Sequence, residues 1–101
     1  MGEKIKVGAV SDIAEGTSKV VEVNGVNIAV FNVGSNFYAI ANDCTHKGGP
    51  LGEGVLSGET VTCPWHAWEF DIKTGECATT PGANVQTFKT SVVNGELFVE
   101  A

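Results

Sequence analysis

Two short segments, Cys44-Thr45-His46 and Cys63-Pro64-Trp65-His66, constrain this chain more than any other feature. Each carries one cysteine and one histidine, and the sixteen residues 47–62 lie between them. Together they use both histidines of the protein and two of its three cysteines. Thiolate sulfur and imidazole nitrogen suit zinc, copper or iron, so the donors alone do not name a metal. A fold that uses all four donors must hold two loops side by side.

The residues between the segments supply a means of doing so. Val55-Leu56 and Thr60-Val61-Thr62 read as two short strands joined through Ser57-Gly58-Glu59. Neighbouring antiparallel strands lie about 5 Å apart, so such a hairpin holds the segments at its open end, near Gly52 and Cys63, next to each other.

The rest of the chain reads as antiparallel β-structure. Lys4 to Val7 alternates polar and apolar residues, the period of a half-buried strand. Ser11 to Gly16 reads as a loop or a single helical turn. Lys19 to Val23 and Val26 to Val33 are rich in β-branched residues and flank Asn24-Gly25, a strong hairpin signal because a type I′ turn needs positive φ at both positions. Gly34-Ser35-Asn36 turns the chain into a strand over Phe37 to Ala41. From Asn42 to Gly82 the composition changes, and this stretch holds every cysteine, histidine and proline. Trp68, Phe70 and Ile72 alternate with Glu69, Asp71 and Lys73, and Lys73-Thr74-Gly75-Glu76 turns the chain. Gln86 to Val93 and Glu96 to Val99 form a last hairpin around Asn94-Gly95. The expectation is an all-β fold, an antiparallel β sandwich of one domain over 1–101. A small β insert at about 42–82 carries the ligand loops.

A chain of 101 residues with 43% apolar content can bury one core. No apolar run has the length of a membrane span, and Met1 to Lys6 lacks the pattern of a secretory signal; a soluble, cytoplasmic protein is expected. Three cysteines make no disulfide framework. The net charge of −6 and the absence of arginine argue against nucleic-acid binding, since phosphates call for a basic face.

Zinc is the rival metal. Cys₂His₂ zinc fingers usually pair cysteine with cysteine and then histidine with histidine on a helix. Here each loop offers one of each, and Gly48-Gly49-Pro50 and Pro64 exclude a helix bearing the ligands. Gly48, Gly49 and Gly52 would let backbone N–H groups approach cluster sulfides, whereas Gly54 is expected only to permit a tight turn.

Cys44-Thr45-His46 with its following glycines, Cys63-Pro64-Trp65-His66-Ala67-Trp68 and the run from Phe70-Asp71 to Thr74-Gly75-Glu76 resemble the Rieske [2Fe-2S] proteins. The resemblance implies that Cys44 and Cys63 hold one iron and that His46 and His66 hold the other. With neutral imidazoles the oxidised centre carries no net charge, so it accepts an electron more readily than a four-cysteine centre does. The resemblance also implies an electron exit at the His46 and His66 rings, whose unbound nitrogens couple reduction to pH.

Rieske subunits of respiratory complexes have an extra cysteine in each ligand loop, where this chain has Gly49 and Trp65. Their serine and tyrosine donors to the cluster are replaced by Trp68 and Phe70. The resemblance is therefore to soluble Rieske-type ferredoxins like those of bacterial aromatic-ring dioxygenases, with a potential on the order of −150 mV. It implies a one-electron carrier, not an enzyme, whose partners are an NAD(P)H-dependent ferredoxin reductase and a terminal oxygenase. No histidine remains for the mononuclear iron of an oxygenase, and no Gly-x-Gly-x-x-Gly fingerprint marks a dinucleotide site. The alternatives are the small subunit of another redox complex, such as nitrite reductase, and a structural Cys₂His₂ zinc module.

Cys77 is expected to be structural, packing as a small apolar residue. One of Trp65 and Trp68 is expected to pack beneath the loops and exclude water, and Pro81 falls where relatives have a proline-bearing loop over the cluster. Lys47 and Glu53 flank the first loop as solvated charges.

Overall fold

The computed structural model describes residues 4–23, 25–34, 36–43, 50–65, 67–80 and 82–100. Among these, nine strands form two antiparallel sheets. The larger contains β1 (Lys4–Ala9), β2 (Ser18–Val23), β3 (Val26–Val33), β4 (Asn36–Ala41), β8 (Thr87–Val93) and β9 (Glu96–Glu100), in the order β1-β9-β8-β4-β3-β2. The smaller contains β5 (Val55–Ser57), β6 (Thr60–Thr62) and β7 (Glu69–Asp71) in sequence order.

β3 explains how the two sheets share one molecule. Its sequence, Val-Asn-Ile-Ala-Val-Phe-Asn-Val, contains a continuous apolar run, the pattern of a strand covered on both faces. Successive side chains point to opposite faces, and each face meets its own core. Ile28 and Val30 pack with Val23, Ala39, Leu97 and Val99. Ala29 and Phe31 pack with Ile40, Leu51, Val61, Cys63, Phe70 and Ile72. The first core lies inside the large sheet; the second joins that sheet to the small one.

The first core also shows that the large sheet curls over itself. β1 and β2 stand at opposite edges of the strand order, yet Ile5 and Val7 pack on the same cluster as Val21 and Val23. The result is a sandwich. Its seam is the β4–β8 contact, which is paired only at Ala39–Phe88 and Ile40–Thr87. Beyond those pairs the Thr90 hydroxyl donates to the Phe37 carbonyl at 2.7 Å.

Local chemistry accounts for the turns. Asn94 and Gly95 have φ of 51° and 77°, the pair of positive values that a type I′ hairpin demands. Gly25 is also in the left-handed region, at 81°, and its turn partner Asn24 lies outside the described residues, as does Ser35. The loop expected from Ser11 begins one residue earlier, as a 3₁₀ turn over Val10–Asp12. The Asp12 carboxylate accepts the Ala9 N–H at 3.0 Å and fixes the entry to that turn. No helix of the described residues is long and apolar enough to cross a membrane.

Candidate metal centre

The first ligand loop grows out of the end of β4. Asn42 is buried there and uses its backbone and side chain together. Its N–H donates to the Asn27 carbonyl (2.9 Å), its carbonyl accepts the Leu51 N–H (2.7 Å), and its Oδ1 accepts the Gly52 N–H (2.7 Å). Asp43 forms an isolated antiparallel bridge with Pro50. The chain is thus paired where it enters and where it leaves the loop 44–49, and Leu51 anchors the exit in the second core.

Gly52 corrects one expectation. Its amide is bonded to Asn42 and does not face a sulfide. Glycine is required for another reason: a Cβ here would lie 2.3 Å from Cγ2 of Val20 and 2.9 Å from Oδ1 of Asn42. The Ser18 hydroxyl donates to the Gly52 carbonyl at 2.5 Å, tying the loop exit to β2.

Gly54 corrects a second. It has φ of −77°, which any residue adopts, so it is not there for a tight turn. A Cβ at Gly54 would sit 2.2 Å from the Thr62 carbonyl oxygen. The missing side chain lets the exit of the first loop press against the residue just before Cys63. The β5–β6 hairpin pairs Val55 with Thr62 and Ser57 with Thr60, turning at Gly58 with φ of 60°. The hairpin expected from the sequence therefore exists, and its open end holds the bases of both loops together.

Cys63 opens the second loop and is 2% exposed, packed in the core with Val61, Phe70 and Leu51. Its N–H donates to the Trp68 carbonyl (2.7 Å), and its carbonyl accepts the Ala67 N–H (3.1 Å). These bonds close residues 63–68 into a tight loop, and Ala67 completes it with φ of 58°. Positive φ is uncommon outside glycine, and alanine tolerates it better than a β-branched residue. Trp68 packs partly buried on the second core, while Trp65 is 57% exposed beside His66. Of the two, Trp68 is therefore the one that packs. Cys44, His46 and His66, with Lys47, Gly48, Gly49 and Pro81, lie outside the described residues.

Cys77 is 7% exposed in the same core as Cys63. Its Sγ accepts the Thr80 N–H at 3.3 Å, and its own N–H donates to Oδ1 of Asn84 at 3.1 Å. It packs and pins a loop. Upstream, Oδ1 of Asp71 accepts the N–H groups of Lys73 (2.7 Å) and Thr74 (3.2 Å). Gly75, at φ of 79°, comes so close to the Val85 carbonyl that a Cβ would lie 2.2 Å from it. Asn42, Thr79 and Asn84 carry much of this loop geometry, and sequence reasoning did not single them out. The one signal available was the buried-turn chemistry that Asn and Thr side chains offer to backbone groups.

A buried cysteine opens a hydrogen-bonded loop, and the residue before it is pressed against Gly54, just past the loop whose sequence offers Cys-x-His. The profile of the Rieske [2Fe-2S] domain matches residues 3–89. The chain belongs to the Rieske [2Fe-2S] family. It is similar to the ferredoxin CarAc of Metapseudomonas resinovorans, at 38% identity over 97 residues covering 94% of this chain and 91% of CarAc. It is equally similar to the ferredoxin subunit of 3-phenylpropionate/cinnamic acid dioxygenase from Escherichia coli K12, at 38% over 93 residues, 90% of this chain and 87% of that one. Among solved structures, it matches a chain in a complex of reduced oxygenase and oxidised ferredoxin of carbazole 1,9a-dioxygenase with a TM-score of 0.90. That match has 37% identity and covers 96% of this chain and 92% of the other. A nitrite reductase small subunit from Mycobacterium tuberculosis superposes with a TM-score of 0.93 over 100% and 96% of the chains, but at 18% identity that likeness concerns the fold alone.

Rieske membership brings a [2Fe-2S] cluster as the bound group. Cys63, the one of the four donors among the described residues, fits it. Cys63 is a free thiol, buried among Leu51, Val61 and Phe70, which keep water from it.

Proposed function

We propose that this protein is a Rieske ferredoxin that passes single electrons from an NAD(P)H-dependent ferredoxin reductase to a terminal oxygenase acting on aromatic rings. In this reading residues 42–82 form the cluster-binding part of a single Rieske domain. Cys44 and Cys63 hold one iron, and His46 and His66 hold the other. The bound cluster supplies a reversible one-electron store. The chain itself positions and shields that store and contributes no catalytic residue. A cytoplasmic location belongs to the same proposal.

The observation that carries the reading is the joined base of the two loops. The Asp43–Pro50 bridge, the Asn42 bonds and the Gly54–Thr62 approach fix the first loop against the strand that delivers Cys63. Apolar packing backs Cys63, and Trp65, next to His66 in sequence, is exposed. In this reading a partner docks over the exposed Trp65. The ferredoxin relatives at 38% identity favour a dioxygenase system over nitrite reductase, whose small subunit is similar here in fold only.

Reconstitution tests the function. Oxygenase turnover driven by NAD(P)H and a ferredoxin reductase of an aromatic-ring dioxygenase is expected to require this protein. With its net charge of −6, the transfer rate should fall steeply with ionic strength if docking is electrostatically steered. A purified protein that is colourless and holds stoichiometric zinc would defeat the proposal.

A further inference from the structure

The Trp68–Glu69 peptide connects the second ligand loop to the loop that follows β7. Its carbonyl accepts the Cys63 N–H at 2.7 Å. Its N–H donates to Oγ1 of Thr79 at 3.0 Å. No described peptide bond is cis, and in a trans peptide the C=O and N–H point in opposite directions. One rigid plane therefore stands between Cys63 on one side and Thr79 on the other. We propose that Thr79 is a positioning residue for the cluster, holding Cys63 through this peptide. The inference rests on the reading of Cys63 as a cluster ligand.

Three features make Thr79 a fixed point rather than a chance neighbour. The Ala78 N–H donates to the Glu69 carbonyl at 2.8 Å, so the residue before Thr79 is locked to the same strand. The Thr80 N–H donates to the Cys77 sulfur at 3.3 Å, so the residue after it is locked as well. The loop is closed again by the Ala83 N–H on the Thr80 carbonyl (3.2 Å) and by Asn84 Oδ1 on the Cys77 N–H (3.1 Å). Cys77, otherwise the unassigned third cysteine, thereby becomes part of the support for Thr79.

The physical consequence runs through the peptide dipole. A peptide N–H that is itself hydrogen-bonded polarises its carbonyl and strengthens it as an acceptor. The Thr79 hydroxyl therefore strengthens the Cys63 N–H bond to the Trp68 carbonyl. Loss of the hydroxyl weakens this restraint on the Cys63 backbone, and the electronic structure and potential of a cluster respond to the hydrogen bonding and solvent exposure around its ligands.

The test compares Thr79→Val and Thr79→Ser in the cluster-loaded protein. Thr79→Val keeps the volume and removes the hydroxyl; Thr79→Ser retains it. The expected result for Thr79→Val is an unchanged iron content on purification, displaced EPR g-values and a shifted reduction potential. Iron release to a chelator should accelerate about fivefold, the order of one net hydrogen bond. Thr79→Ser should restore all of these to wild-type values. A Thr79→Val protein with wild-type g-values, potential and release rate overturns the inference, as does a Thr79→Ser protein displaced as far as Thr79→Val. Failure of the underlying ligand reading has a different signature: Cys63→Ser would then leave the EPR spectrum unaltered.

Discussion

The two sheets are stabilised in different ways. Strands of the large sheet are five to eight residues long and mostly pair in continuous register, and Ile28, Val30 and Val99 are wholly buried between its curled halves. Each strand of the small sheet has three residues. Too short to rest on ladder hydrogen bonds alone, it adds to the packing of Val61 and Phe70 a set of particular atoms: Oδ1 of Asn42, the missing Cβ of Gly54, the Thr79 hydroxyl and the peptide plane before Glu69. Apolar area tolerates modest error, because many small contacts share the energy. Point contacts tolerate none. The difference teaches where this molecule spends precision, which is at the loops that carry the donors.

Four substitutions test that contrast, taken from the largest expected effect. Cys63→Ser should abolish or transform the Rieske EPR signal while circular dichroism still reports the strands of the large sheet. Simultaneous loss of both signals would show that the two regions are not separable. Phe31→Ala empties the core between the sheets, where the ring is fully buried. It should cost about 3–5 kcal/mol in urea unfolding, and a loss under about 1 kcal/mol would mean that the joint between sheets is not close-packed.

Gly54→Ala drives a methyl group against the Thr62 carbonyl. The expected cost is about 1–3 kcal/mol, concentrated at the loops, so that iron per chain falls before the melting temperature does. An alanine variant with full iron content would refute the close-approach role. Smallest is Lys6→Ala. The Lys6–Glu96 pair is short, at 2.6 Å, but its side chains are 55% and 45% exposed. Solvent screening holds the expected change below about 0.5 kcal/mol, and a larger one would show that the β1–β9 edge relies on charge.

The same contrast governs how much was legible in the sequence. Hairpins were, because their turns need residues that accept positive φ: Asn94-Gly95 and Gly58 mark their turns directly. β3 was legible to the residue, since its β-branched residues from Val26 to Val33 lie between the glycine turns at Gly25 and Gly34. The two donor motifs stand in the sequence because metal chemistry restricts which residue types serve. What stayed hidden depends on residues distant in sequence. Nothing local in Lys4 or Glu100 shows that the two pair across the ends of the described chain, or that β4 meets β8 over two residues. Gly54 looks like any turn glycine until Thr62 is placed beside it. Thr79 is an exposed threonine whose hydroxyl has no visible task until Glu69 is placed beside it.

The central claim is that two cysteines and two histidines hold one cluster, and the composition makes one measurement decisive. The protein contains two histidines, His46 and His66. Protein grown with ¹⁵N-histidine, reduced by one electron and examined by pulsed EPR should show hyperfine coupling to two histidine nitrogens. Coupling to one nitrogen or to none would contradict the account.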